Sequence, residues 1–342
     1  MSSRLGELAG RLTEVADLRR RMTAPSERPA PRWRVVARKE LADNLLSVRF
    51  FVLILVLGLA AVVAASTAAS ALRDVATQAT GTPSPFLLLF TESPERIPSF
   101  AALVGFLGPL LGISLGFDAV NNERAQGTLP RLVAQPVHRD EVVNGKFVAG
   151  LAVIAVTLTS ITMLVAGVGI LRLGITPGPE DVARLVLYLL LAVVYIGAWL
   201  GFALLCSVLM RRAATSALVA IAVWLVLALF GTLLVGMVAD VVSPAGEDAT
   251  ALEQVENVRT EQQLARVSPV TLYQEATGVL LNPQARTVDI VLPQQADRAV
   301  PGTLPLAQSL LVVWPQVVAL VAISVVIFAA AYVSFLRQEV RA

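Results

Sequence analysis

The chain has 342 residues, 56% hydrophobic and 15% charged, with 27 Lys and Arg against 25 Asp and Glu, and a mean hydropathy of +0.72. Soluble domains carry about 25% charged residues, so a soluble fold would have to bury several helices that are apolar on every face, which happens only at the centres of very large proteins. One cysteine, Cys206, and one histidine, His138, exclude a disulfide framework and metal sites built on Cys or His clusters; no cofactor is expected.

Residues 5–22 place Leu5, Leu8, Leu12, Val15 and Met22 at alternating three- and four-residue spacing among Arg4, Glu7, Arg11, Glu14, Arg19, Arg20 and Arg21. That is the pattern of an amphipathic helix, and residues 1–31 are expected to form an N-terminal arm that lies on an anionic leaflet or packs on a partner. Pro25, Pro29 and Pro31 end it. A second amphipathic stretch runs from Trp33 to Phe50. Trp33, Val36, Leu41, Leu45 and Val48 fall on one face, and Arg34, Arg38, Lys39, Asp43 and Arg49 on the other, with Glu40 between them in the sequence. It predicts a connecting helix over 32–49, lying in the membrane plane with Trp33 at headgroup level.

Six apolar runs follow, Phe50 to Leu72, Ser99 to Phe117, Phe147 to Leu171, Leu185 to Met210, Ala213 to Ala239 and Leu310 to Leu336, each free of Asp, Glu, Lys, Arg and His. About twenty such residues cross a hydrocarbon layer of roughly 30 Å at about 1.5 Å per residue. The fold class expected is an all-α membrane protein with six transmembrane helices in a single domain over 50–342. The first run begins after 49 polar and basic residues and is too long for a signal-peptide core, so it is expected to be retained. Nineteen Lys and Arg fall on the side that holds both termini and eight on the other, which places both termini in the cytoplasm and the chain in a cell membrane. The basic pI of about 9.0 reflects this bias and calls for no nucleic-acid partner.

Between the first two runs, the patch Phe86 to Phe90, bounded by Pro83, Pro85 and Pro94, is too short to cross and is expected to dip into the interface. Gly108, Gly112 and Gly116 in the second run, and Gly197 and Gly201 in the fourth, allow backbones to approach closely, within one subunit or between two. The external segment 240–309 predicts a helix over Thr250 to Arg266, stopped at Ser268-Pro269, and another over Val270 to Leu281, stopped at Asn282-Pro283, together forming a cap.

The charge-free runs argue against an ion-coupled secondary transporter, which binds its ion on ionisable groups at depth. Nor is there a glycine-rich phosphate loop. The nearest fragment, Gly145-Lys146-Phe147, lacks the preceding glycine and the following hydroxyl. With no acid, base or metal constellation in the runs, the expectation is a non-catalytic subunit whose energy comes from a partner.

The loop 118–146 reads Asp118-Ala119-Val120-Asn121-Asn122-Glu123-Arg124-Ala125-Gln126-Gly127-Thr128-Leu129, then continues to Pro136, His138-Arg139 and Gly145-Lys146. Gly127 and Thr128 suit a turn and a helix cap, Leu129, Leu132 and Val133 make a short apolar face, and Pro136 ends it. Arg139 and Lys146 add positive charge on the inner side. A short helix held between two spans can pass a push from a cytoplasmic partner into the membrane. His138 is expected to be solvated.

This pattern resembles the permease subunits of the type-2 ABC transporter family (ABC-2), whose loop here runs Glu-Arg, Gly-Thr-Leu, then Pro-hydrophobic-x-Arg, then Gly-Lys. The matching residues are Glu123, Arg124, Gly127, Thr128, Leu129, Pro136, Arg139, Gly145 and Lys146. The helix containing Ala37-Arg38-Lys39-Glu40-Leu41, the six spans, and Arg266-Val267-Ser268-Pro269 before the sixth are similar too, so the likeness covers roughly 33–342. It implies an exporter subunit that pairs with a second permease copy. It also implies two ATPase subunits, bound through the 118–146 loop and the membrane-plane helix, with membrane lipid around the body. The competing expectation is an energy-independent scaffold or channel, which ATP-independent flux through the purified chain would reveal.

Overall fold

The computed structural model describes residues 32–76, 85–93, 97–125, 139–244, 250–285 and 303–337. Among them all regular structure is helical. In chain order the helices are α1 (Arg32–Leu45), α2 (Val48–Ala76), α3 (Pro85–Thr91), α4 (Phe100–Gly116), α5 (Asn121–Ala125), α6 (Arg139–Leu173), α7 (Pro179–Leu209), α8 (Ala213–Leu225), α9 (Gly231–Val242), α10 (Ala251–Ala265), α11 (Pro269–Leu281) and α12 (Leu306–Leu336). A π-helical turn, Val226–Phe230, joins α8 to α9. Six segments are long and apolar enough to cross a membrane: Val48–Arg73, Phe100–Ala125, Asp140–Leu173, Pro179–Leu209, Ala213–Val242 and Leu306–Leu336. The chain is therefore an all-α membrane protein with six spans. The arm expected over 5–22 lies outside the described residues.

Helix α1 is shorter than its apolar spacing predicts. Ser47 Oγ donates to Asn44 O at 2.8 Å and accepts from Phe50 N at 3.2 Å, so one hydroxyl closes α1 and caps α2. Val48 and Arg49 consequently belong to the first span. The chain turns a corner at Leu46-Ser47, an elbow that a continuous hydrophobic stripe conceals.

Helix α7 is the centre of the bundle, flanked by α4, α6 and α12. A Cβ on Gly112 would lie 2.6 Å from Ile196 O, and one on Gly116 2.8 Å from Leu200 O. Both collisions are with backbone, so any side chain there would push α4 off α7. Gly108 meets the Ile196 side chain and Gly197 meets Leu151. Of the two uses the glycine spacing left open, these glycines serve packing within the chain.

The patch Phe86 to Phe90 forms α3, but its apolar face turns inward rather than toward an interface. Phe86, Leu87, Leu89 and Phe90 are at most 3% exposed, and Phe90 packs edge-on against Phe86 and Phe100 with centroids 5.6 Å apart. Seven residues of helix have too little apolar surface to choose lipid or protein by composition; the neighbours α2, α4, α6, α7 and α11 decide it.

The two helices of the 240–309 segment start where their caps predict. Thr250 Oγ1 accepts from Glu253 N, and Thr250 N donates to Glu253 Oε2 at 2.7 Å, a reciprocal capping pair. Those hydrogen bonds hold the exposed Glu253 carboxyl below its ordinary pKa. Ser268 Oγ caps α11 through Val270 N. Helix α11 does more than cover the bundle, because Tyr273, Ala276, Leu280 and Leu281 are buried against α4, α7 and α12.

Tyr273 belongs to a buried phenol cluster that repairs a break in α4. Pro109 lies inside that helix and has no N–H to give Gly105 O, its partner four residues back. Tyr195 Oη donates to that carbonyl at 2.8 Å. Tyr273 stacks on Tyr195 with centroids 4.4 Å apart and donates to Ala101 O at 3.1 Å. Tyr195→Phe should destabilise the chain by about 1–3 kcal/mol, the cost of a buried acceptor left unsatisfied. Adding Pro109→Ala should recover most of the loss by restoring the helical donor. Thermal unfolding in detergent reads both variants, and additive losses would contradict the account.

Candidate coupling site at the α1 end of the bundle

The residues that the loop pattern singled out converge with the α1 set. Gly145, in the first turns of α6, lies under α1: a Cβ there would sit 2.9 Å from Val36 Cβ and 3.1 Å from Trp33 O. Glycine is needed at this position because α1 rests on the α6 backbone. One residue on, Lys146 Nζ reaches Glu40 Oε1 of α1 at 2.9 Å and Glu123 Oε1 of α5 at 2.8 Å. The lysine side chain is 7% exposed and the two glutamates 18% and 15%. In so dry a place a lysine needs paired carboxylates to stay charged. The Gly-Lys pair thus joins three chain segments: α1, α5 and the third span.

Helix α5 is seated by residues that the sequence reading did not select. Ser207 Oγ, fully buried near the end of α7, accepts from Val120 N at 3.0 Å and Asn121 N at 3.2 Å, so the fourth span supplies the cap of α5. Arg124 Nη1 donates to Val208 O at 3.3 Å, at the carbonyl-rich end of α7. Beneath α5 a separate apolar cluster gathers Val120, Val143, Leu204, Val208, Ala331 and Phe335, so the second, third, fourth and sixth spans meet there. Arg49, at the start of α2, donates to Asp118 Oδ2 at 2.6 Å and lies 5.2 Å from the Phe117 ring. A lone serine in an apolar run gives no signal of a long-range cap, and Arg49 and Asp118 look like ordinary span-end charges.

The structure places the remaining predicted residues unevenly. Of the α1 set, Arg38 and Lys39 face outward, Lys39 paired with Asp43 at 3.5 Å. Leu41 is half-buried and Trp33 packs its backbone on Gly145. Arg139 opens α6, but its side chain lies outside the described residues, as do Gly127, Thr128, Leu129, Pro136 and His138. Among the described residues no cluster of three His, Cys, Asp or Glu is placed to hold a metal ion. A surface helix and a short loop helix are thus joined through a buried lysine at the start of the third span.

Six apolar spans with a helix-bearing, ion-paired junction at one end define a polytopic helical membrane protein. The chain belongs to the family described as ABC-2 family transporter protein, which matches residues 34–340. It is similar to the "Probable ABC transporter permease protein NosY" of Stutzerimonas stutzeri, 31% identical over 146 residues that cover 39% of this chain and 46% of that protein. The protein of the same name from Pseudomonas aeruginosa is 33% identical over 124 residues, covering 36% of this chain and 40% of that one. The chain thus matches less than half the length of either curated relative.

Proposed function

We propose that this chain is the non-catalytic permease subunit of an ATP-driven exporter. It takes its power from a separate nucleotide-binding subunit seated on α1 and the 118–146 loop. The observation that carries this reading is the Glu40–Lys146–Glu123 bridge, which makes one rigid unit of the two surface elements such a partner would touch. Charge bias puts that end, with both termini, in the cytoplasm of a plasma or inner cell membrane. Two copies would pair through faces that no described residue covers: Leu55 and Leu59 of the first span are 69% and 64% exposed, and Leu233 and Met237 of the fifth 63% and 68%. Lipid covers the remaining apolar surface.

The test is purification of the tagged chain from its native membranes, with the bound ATP hydrolysis measured. An ATPase subunit should copurify, and Glu123→Ala with Arg139→Ala should strip most of it away. Undiminished recovery and hydrolysis in that double variant would sink the coupling role.

A further inference from the structure

Beside the bridge lies a cavity of about 50 Å³ lined by Glu40, Asn44, Asp118 and Lys146 among others, polar and roomy enough for water. Two ion pairs meet around it. Lys146 holds Glu40, and Arg49 holds Asp118. Glu40 and Arg49 flank the Leu46-Ser47 elbow, whereas Lys146 and Asp118 belong to the body of the bundle. A displacement of the elbow that carries both α1 and the first turn of α2 outward breaks both pairs at once. What it leaves behind is one cation and one carboxylate on the walls of the same cavity.

We propose that Lys146 and Asp118 form an ion-pair switch. When the elbow leaves, Lys146 exchanges Glu40 for Asp118 while keeping Glu123, and when the elbow returns, Arg49 draws Asp118 away again. Breaking a buried pair with no replacement is strongly unfavourable, and the exchange removes most of that penalty because Lys146 keeps two carboxylate partners in both states. Asp118 and Arg49 are then positioning residues that set how readily α1 undocks. Discrete alternative packings of this kind are how small displacements become large ones. The use of the switch for coupling rests on the proposed function, but its existence is a property of this chain alone.

The two residues must act in opposite directions. Nitroxide labels at Ala42→Cys and Val148→Cys, both on exposed positions, in a Cys206→Ala background in lipid nanodiscs, report the separation of α1 from the third span by pulsed electron resonance. Arg49→Gln frees Asp118 to compete for Lys146 and should raise the undocked distance population several-fold. Asp118→Asn removes the competing acceptor and should suppress that population, and the double variant should behave like Asp118→Asn. Glu40→Gln, which takes away the acceptor on α1 itself, should raise it in either background. A static Arg49–Asp118 strut predicts that both single variants loosen α1 alike, and that result would overturn the switch, as would an Arg49→Gln trace identical to the parent. No ATPase is present, so failure here leaves the permease assignment standing, and loss of the ATPase partner would leave this measurement unaffected.

Discussion

Lys146→Met should lower the stability of the chain by about 3–5 kcal/mol, the range for removing one partner from a buried ion pair. Methionine fills much of the lysine's volume, so the loss is electrostatic rather than a cavity effect. It deprives Glu40 and Glu123, 18% and 15% exposed, of the buried ammonium they share. Their escape toward water would lift α1 off Gly145. Thermal unfolding followed by tryptophan fluorescence measures the loss. The triple variant Glu40→Gln, Glu123→Gln, Lys146→Met separates stranded charge from lost packing. It removes every charge of the triad and should regain most of the stability, since wholly apolar or neutral replacements of buried ion triads are well tolerated. If Lys146→Met alone falls within about 1 kcal/mol of the parent, where exposed ion pairs lie, the triad does not pin α1.

Residue 146 also shows where sequence reasoning stops. Span positions, the α10 cap at Thr250, and the stops at Ser268-Pro269 and Asn282-Pro283 follow from local chemistry, and the helices sit where those signals place them. The Gly145-Lys146 pair was legible as a pattern, yet its reason was not. Glycine there answers to Trp33 and Val36, and lysine to Glu40, 106 residues earlier. No periodicity encodes a contact of that range. The same holds for Ser207, which caps α5 from 86 residues away, and for α3, whose burial depends on five other helices. Charge-free runs were read as a bundle without ionisable groups at depth. Helix α11 alters that picture from outside the spans: its Glu275 accepts from Arg266 Nε at 2.9 Å and from Gln316 Nε2, also at 2.9 Å. Gln316 is ten residues into α12 and 3% exposed, so a carboxylate enters the bundle on a helix that hydropathy does not score as a span.

Arg184 is the second place where a large effect is expected, and here too the run boundaries gave a misleading picture. Sitting one residue before the fourth apolar run, it reads as a solvated span-end charge, but its side chain is 0% exposed. Nη1 donates to Leu280 O and to Ser309 Oγ, both at 3.1 Å, Nη2 donates to Leu304 O at 2.6 Å, and Glu180 Oε1 accepts at 2.9 Å. One guanidinium thus ties the carbonyl end of α11, the entry to α12 and the start of α7 together, a task suited to its planar fork of donors. Arg184→Met should cost about 3–5 kcal/mol, because the buried Leu280 carbonyl, the half-buried Leu304 carbonyl and Ser309 lose their donor together. Arg184→Lys should recover only part of this, since an ammonium cannot reach three directions in one plane. Glu180→Ala should cost less than Arg184→Met, because that carboxylate is 56% exposed and water screens its share. Hydrogen exchange distinguishes a clasp from general packing. In Arg184→Met the amides of 303–309 and the last turn of α11 should lose protection before the rest of α7 does. Uniform loss across the bundle, or none at all, would mean that the guanidinium merely fills space.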